Sequence, residues 1–415
     1  MKFHLIFPRW PKLPQQTPFT LPPLGVITVA ASLPDTVEAS VCDENVQPVN
    51  FDKDCDVVGI SIMLSCQAPR AYEIAGEFKK RGKTVILGGL HVALRPDEAI
   101  GHADSIVIGE AEGLLEQVVR DFQEGRLKKS YSMIGFPDIS KIRNPRRDLY
   151  NKKRDYVYKG WELVDLVQTS RGCRFNCYPC CVPYLGGRKH RIRPIDQVVS
   201  DMESCSDLLF IVDNSLEQNV AWEKEVFRSM AGMGKRWVSH PISPVPEVLD
   251  LARKAGCWYI YHAIYTISDK IKDRIKMYHD YGIGVEGTIL LGMDEHTEDF
   301  IKRFIDFLLT IELDLAEFTI LTPFPGTQVY EQMKSEGRIF DTDWNHYNAS
   351  TVVFQPYRMT PDALQKLYYD AWDSFYAAES QSVKMSKLFL QIYKDRRKDS
   401  TVSVHDKVSS PLSQS

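Results

Sequence analysis

Arg171-Gly172-Cys173-Arg174-Phe175-Asn176-Cys177-Tyr178-Pro179-Cys180-Cys181 places three cysteines at the spacing C-x3-C-x2-C, directly after the apolar run Leu163–Gln168. Thiolates are good iron ligands, and a short cysteine-rich loop can wrap one iron–sulfur cluster. Four thiolates would close a four-iron cluster, whereas three leave one iron open to another ligand. A structural zinc site asks for C-x2-C pairs; Cys177/Cys180 is one, and the chain has no second. From the loop alone a cluster is the leading reading, and zinc or structural and redox cysteines stay open. Cys173, Cys177 and Cys180 are the candidate ligands, and Cys181 is set aside on spacing alone.

Beyond the loop, apolar runs alternate with amphipathic stretches. Strands are predicted at Leu163–Gln168, Leu208–Val212, Trp237–His240, Trp258–Ala263, Val285–Leu291 and Glu317–Leu321. Helices fit between them at Ile195–Glu203, Ala221–Gly232, Pro246–Ala255, Asp269–Tyr281 and Thr297–Ile311. Six β–α units predict an open, partial version of the eight-fold β/α barrel, with its site at the carboxyl ends of the strands. The cysteine loop follows the first strand and would sit at that mouth. Asp213, Ser239 and Gly292 mark later strand ends. As isolated features they read as ordinary strand ends and turns at least as well as ligand contacts.

Ahead of the loop, residues 1–125 show the same alternation. Strands are predicted at Lys2–Phe7, Val37–Cys42, Asp56–Ile62, Thr84–Leu87 and Ser105–Ile108, with helices at Leu24–Ser32, Ala68–Arg81 and Glu112–Phe122. That rhythm means a parallel sheet covered on both faces, with any ligand at the carboxyl ends of its strands. The residues expected there are small: Ser61, Ser65, Gly88, Gly89 and Gly109. Small residues let a large flat ligand approach the backbone, although structural turns explain them equally well.

Residues 126–160 form a charged connector containing Lys128, Lys129, Arg143, Arg146, Arg147, Lys152, Lys153 and Arg154. It reads as a solvated interdomain strap, the alternative being that its basic residues neutralise a ligand's phosphate or carboxylate groups. Residues 161–335 hold the barrel, and 336–397 a small helical region with helices at Pro361–Ala377 and Glu379–Tyr393. Trp344 and Tyr347 are candidates to cover the barrel mouth or simply to pack. A disordered tail is expected over 398–415.

At 415 residues the chain is too long for one ordinary domain, and a net charge of −4 argues against general nucleic-acid binding. No stretch approaches the roughly 18 continuous apolar residues of a membrane span. The start Met1–Pro8 lacks a secretory pattern, and nine cysteines then read as reduced thiols plus a metal site. A cytoplasmic protein working where oxygen is scarce is expected.

The cysteine spacing resembles the signature of the radical S-adenosylmethionine (SAM) superfamily. Leu21-Pro22-Pro23-Leu24-Gly25, Ala68-Pro69-Arg70-Ala71-Tyr72, Leu87-Gly88-Gly89-Leu90-His91 and Ile108-Gly109-Glu110-Ala111-Glu112-Gly113 resemble the cobalamin-binding domain fused to one large class of these enzymes. Leu321-Thr322-Pro323-Phe324-Pro325-Gly326-Thr327 is similar to the same class. The resemblance implies an α/β fold: an N-terminal flavodoxin/Rossmann-like cobalamin-binding domain, a partial (β/α)6 TIM-like radical SAM barrel, and a helical C-terminal region. It implies a 4Fe-4S cluster on Cys173, Cys177 and Cys180. Asp213, Ser239, Tyr265 and Gly292 would contact SAM; Gly25, Ser61, Ser65, Gly88, Gly89, Gly109 and Glu110 would contact cobalamin.

The implied activity is methyl transfer to an unactivated carbon. In that class one SAM methylates cob(I)alamin, and a second yields the 5′-deoxyadenosyl radical that removes a substrate hydrogen. An electron donor such as flavodoxin or ferredoxin is implied, as is a small-molecule, protein or peptide substrate. Two other outcomes stay open: a cobalamin-binding radical SAM enzyme that cyclises, rearranges or oxidises, and a non-catalytic binding protein. The chain departs from the family at Tyr265, where a glutamate that helps hold SAM's amino group is usual. It also lacks the D-x-H-x-x-G loop that gives many cobalamin proteins a histidine on the cobalt's lower face. His91 resembles the turn beside the cobalamin nucleotide tail instead.

Overall fold

A computed structural model of the chain describes residues 1–11, 13, 15, 19–150, 155–159, 161–175, 177–392 and 394. Lys152, Lys153, Arg154, Asn176 and the 398–415 tail lie outside the described residues.

The N-terminal sheet contains β1 (Lys2–Phe7), β2 (Glu38–Asp43), β3 (Val57–Ser61), β4 (Thr84–Gly88), β5 (Ser105–Ile108) and β6 (Ser130–Ser132). Their order is β2-β1-β3-β4-β5-β6, and every neighbouring pair is parallel. The first five match the sequence reading. The sixth extends the sheet past residue 125, with Tyr131 turned inward and donating its hydroxyl to Asp121 at 3.0 Å. Both faces are apolar, as a parallel sheet requires. On one, Ile6, Val58, Ile60 and Leu87 meet Ala71, Ile74 and Phe78 of α2 (Ala68–Lys80). Those helix positions recur at i, i+3 and i+7, so they share a stripe. On the other, Phe3, Leu5 and Val107 meet Val26 of α1 (Leu24–Ala31) and Val118 of α3 (Leu115–Gln123). The chain winds in opposite directions from β1, which opens a crevice at the carboxyl ends of β1 and β3.

The second sheet holds β7 (Asp165–Val167), β8 (Leu208–Ile211), β9 (Arg236–Ser239), β10 (Cys257–Ile264), β11 (Gly284–Leu291) and β12 (Leu315–Ile320). Their spatial order is their chain order, all parallel. The outer face packs on α4 (Ile195–Glu203), α5 (Val220–Met230), α6 (Pro246–Lys254), α7 (Asp269–Asp280) and α8 (Glu298–Thr310), forming the largest core. After α9 (Gln328–Ser335), α10 (Pro361–Phe375) joins that layer through Leu364, Leu367 and Trp372. The inner face is different. Leu166, Phe210, Val238 and Tyr259 line its lower half, closed by Met385, Leu388 and Ile392 from the helical segment 381–392. Among the described residues no helix is long and apolar enough to cross a membrane.

The connector is solvated over its first part and buried toward its end. Arg147 is buried, donating to Asp201 at 2.9 Å and to the Leu166 carbonyl at 2.8 Å. The Tyr150 hydroxyl donates to Asp165 at 2.5 Å, and Lys159 is buried in an ion pair with Glu286. Arg143 and Arg146 pair with Asp35 and Asp148. These cations neutralise the protein's own carboxylates, which answers the ligand alternative for them.

Candidate active site

The cysteine loop is held from several sides. Ser170–Arg171 pairs antiparallel with Arg191–Ile192. Gly172 has a φ of +80°, and a Cβ there would lie 2.3 Å from the Lys189 carbonyl oxygen, so only glycine fits. The Cys173 amide donates to Gly187 at 3.0 Å. Gln218, buried after β8, accepts from the Arg174 amide at 3.1 Å and donates to the Gly172 carbonyl at 3.2 Å.

Cys173 is buried, whereas Cys177 and Cys180 are exposed. Burial raises the Cys177 pKa, and nearby Cys173 and Glu217 raise it further. Burial likewise raises Cys180, with Cys173 and Cys177 adding to it. Cys181 is pushed up to about 11 by burial and, of these thiols, feels Cys180 alone. The three spaced thiols therefore share one electrostatic neighbourhood, and a cationic cluster would relieve their mutual repulsion by binding them as thiolates. Among the described residues no three His, Cys, Asp or Glu side chains converge on a single-ion site. A cluster asks for a wider ring, because each thiolate binds its own iron. The donor set fits a cluster.

Of the positions expected at SAM, three are occupied otherwise. Asp213 is buried and accepts from the Thr169 amide and hydroxyl, both at 2.6 Å, and from the Ser170 hydroxyl. Its carboxylate braces the start of the cysteine loop, and burial raises its pKa against those hydrogen bonds. Ser239 is buried with its hydroxyl on the His240 carbonyl at 2.7 Å. Gly292 has a φ of +92°, and a Cβ there would lie 2.8 Å from Leu364 of α10, so its smallness serves packing. Tyr265 is half exposed just beyond β10, where burial raises its pKa and the Cys177 and Glu217 charges add to the shift.

Sequence reasoning missed Glu217 and Arg274. Glu217 lies on the turn after β8, within electrostatic reach of both Cys177 and Tyr265, and pairs with Arg274 of α7. A charge close behind a strand end was the only local signal. The pair offers one carboxylate and one guanidinium beside the loop, a complement to a zwitterion.

At the N-terminal sheet, Ser61 and Gly88 are register partners at the ends of β3 and β4. Gly109 has a φ of +91° with open space where a Cβ would go, and Gly25 is equally open. These positions leave room for a large ligand over the strand ends. Gly89 differs: its φ is +104°, and a Cβ would lie 2.5 Å from the Ile62 carbonyl oxygen, so the protein's own backbone uses the space. Ser65 is buried against His91 at 3.1 Å. His91 is itself enclosed, 3.5 Å from Glu98 and edge-on to Trp344 at 5.5 Å. Trp344 donates to Glu98 at 2.9 Å and Tyr347 is buried, so both pack and Trp344 joins the two halves of the molecule. Both Glu110 carboxylate oxygens are taken by Arg171 and Arg191.

Residues 15–119 match the family model described as a B12 binding domain. Over 371 residues the chain is 30% identical to bacteriochlorophyllide d C-8(2)-methyltransferase of Chlorobaculum tepidum, covering 81% of each chain. It is 27% identical to that organism's bacteriochlorophyllide d C-12(1)-methyltransferase, covering 82% of this chain and 80% of the relative. The radical SAM methyltransferase TsrM from Kitasatospora setae, solved with tryptophan and a SAM analogue, shares the fold. Its TM-score is 0.65 at 16% identity, over 92% of this chain and 90% of that one. The cobalamin-dependent SAM radical enzyme OxsB aligns at TM-score 0.60 and 12% identity, over 96% of this chain and 61% of that one. With the B12-type sheet and the cysteine loop facing one another across Glu110 and Arg171, the chain belongs to the cobalamin-dependent radical SAM methyltransferases.

Proposed function

We propose that this enzyme methylates an unactivated carbon of a cyclic tetrapyrrole. The observation that carries the substrate class is the 30% and 27% identity, over four-fifths of the chain, to two methyltransferases named for bacteriochlorophyllide d. When bound, the 4Fe-4S cluster, SAM and cobalamin supply a carbon-centred radical and a transferable methyl group. The chain's own residues bind and orient. Cys173, Cys177 and Cys180 would hold three irons and leave the fourth open. Glu217 and Arg274 complement the ammonium and carboxylate of SAM, a role Tyr265 meets only with a neutral hydrogen bond. Ser61, Gly88 and Gly109 keep the strand ends low enough for the corrin. Exposed Tyr178 and Tyr184 in the loop region offer apolar surface that excludes water from the mouth. Arg174, Arg188 and Lys189 are exposed beside the loop and suit an acidic electron donor such as flavodoxin or ferredoxin.

Anaerobic reconstitution followed by turnover with SAM and a chlorin carboxylate tests the reading. S-adenosylhomocysteine, 5′-deoxyadenosine and a substrate heavier by one methylene support it. 5′-Deoxyadenosine without S-adenosylhomocysteine indicates a cyclisation or oxidation, and neither product indicates a binding protein. The cobalt is expected to lack a protein nitrogen ligand. His4 bonds Ser40 at 2.8 Å, His91 is enclosed, and His102 stacks on Tyr72 at 3.8 Å. The cob(II)alamin resonance lines should be free of threefold nitrogen splitting; splitting lost in His91→Ala would show the opposite.

A further inference from the structure

Arg171 and Arg191 are register partners across the two-residue antiparallel pair that flanks the cysteine loop. Like charges directly opposite one another on paired strands repel. Both side chains are also largely buried, which removes the water that would screen them. The hairpin is therefore not self-consistent as a free unit. What balances it comes from the other module. Glu110 and Glu112 stand on the turn after β5, and both are nearly fully buried.

Arg171 donates to Glu110 at 2.9 Å and to Glu112 at 2.6 Å, so its two terminal nitrogens grip one carboxylate each. Its Nε donates to Gln168 at 2.8 Å, which fixes the plane of the fork. Arg191 donates to both oxygens of Glu110, one of them at 3.2 Å, and lies over the Phe136 ring at 4.4 Å. Two cations from the loop's flanks thus meet two anions from the B12-type sheet, with Glu110 between the arginines. Planar bidentate pairs fix angle as well as distance.

We propose that Glu110 and Glu112 are positioning residues: they lock the cysteine loop to the N-terminal sheet and set the spacing of the two cofactor modules, rather than binding a cofactor themselves. This rests on the proposed function for its catalytic consequence alone; the ordering of the loop stands without it.

The test uses the full chain with Glu110→Gln, Glu112→Gln, Arg191→Met and the double variant Glu110→Gln/Arg191→Met. Amide exchange of the peptide over 168–175 is read in protein without the cluster. Losing a buried charge-assisted pair should speed that exchange about tenfold or more in Glu110→Gln, and less in Glu112→Gln, which frees only one arm of Arg171. Arg191→Met removes the opposing cation, so the double variant should exchange more slowly than Glu110→Gln alone. Cobalamin affinity, read by titration with hydroxocobalamin, should stay within about twofold, because no group on the corrin is proposed to touch either carboxylate. In reconstituted protein, methyl transferred per SAM cleaved should fall about tenfold or more, since misplacement by an ångström is costly to alignment. The magnetic coupling between cob(II)alamin and the reduced cluster should broaden into a distribution of distances.

Unchanged exchange in Glu110→Gln overturns the proposal. So does a tenfold loss of cobalamin affinity with the loop still protected, which would make Glu110 a cofactor contact. If Glu110→Gln does not fold, Glu112→Gln and the double variant carry the same two readouts. Faster exchange in a chain whose wild type makes no methylated product leaves the lock standing and removes the proposed function instead.

Discussion

The two sheets share a βα rhythm and differ in what their faces hold. The N-terminal sheet is apolar on both sides, and β3 reads Val-Val-Gly-Ile-Ser with its first four residues buried. The second sheet is apolar outward only. Along β10, Ile260 and Ile264 face the helices, while Tyr259 and Tyr261 turn inward. There the Tyr158 hydroxyl bonds both of theirs, and the Lys159 ammonium lies 5.4, 5.4 and 5.2 Å over the three rings beside Glu286. A sheet covered on both faces can offer chemistry only at its strand ends. A sheet curled around a lumen can store charge inside itself.

The largest expected effect tests that contrast at its most expensive point. Burial alone would lower the Lys159 pKa, but the Glu286 charge outweighs it and the pKa is raised. Glu286→Leu removes the carboxylate paired with the ammonium and leaves it the Glu317 charge alone, which should cost about 3 kcal/mol in urea unfolding, with much of it recovered when Lys159→Met is added. A loss below about 1 kcal/mol would mean the lumen is wet and the pair screened, which erases the difference between the sheets. Next comes the N-terminal sheet's own weak point. Gly89→Ala forces a strained backbone, about 1–3 kcal/mol before the clash with Ile62 is counted. It should lower one of two unfolding transitions and leave the other in place; a single transition shifted as a whole would mean that the modules do not unfold separately. On the barrel's outer layer, Thr297 caps α8 by accepting from the Phe300 amide at 3.1 Å. Thr297→Ala should cost about 1 kcal/mol in the same measurement, a baseline for ordinary surface helix ends.

The smallest effect concerns the seam between the sheets. Burial would raise the Glu98 carboxyl, but the His91 ring 3.5 Å away and hydrogen bonds from Trp344 and Tyr72 hold it down at about 2. Its folded pKa lies below the unfolded value of about 4.3, so the stabilisation is fully present above that value and is lost as pH falls through about 2. Acid titration of wild type against Glu98→Gln, followed by Trp344 fluorescence, should show the difference vanish over that window. A difference that persists at pH 2 would remove Glu98 from the seam.

Local pattern carried the elements and little of the wiring. β1 and β5 coincide with their predicted spans because short apolar runs bounded by turns have one economical conformation. The cysteine triad stood out in the sequence because its spacing is local. Glu110 was placed at the right strand end, but its arginine partners were not legible, since they lie 61 and 81 residues away. Gly89 and Gly109 look alike in sequence and share a positive φ, yet one is crowded by backbone and the other open. That depends on which strand passes behind them. Arg147 in the connector read as surface charge because composition cannot reveal that Asp201 and Asp165 wait in the folded core.

The segment 381–392 closes the floor of the lumen, and a Cβ on Gly284 would lie 2.5 Å from Leu388, so the stopper is seated tightly. This sets an order on biosynthesis. Every strand of the N-terminal sheet has left the ribosome once residue 132 is clear of the exit tunnel, and its own helices cover most of both faces, with Leu149 and Trp344 added later. The barrel must wait for residue 392, some 260 residues later, before its inner face is shielded. In the interval the nascent chain carries all the strands of the N-terminal sheet beside an unstoppered barrel. Vitamin loading can therefore precede assembly of the oxygen-sensitive half, and a truncation that spares every cysteine but removes the last helix would still leave the second half open to water.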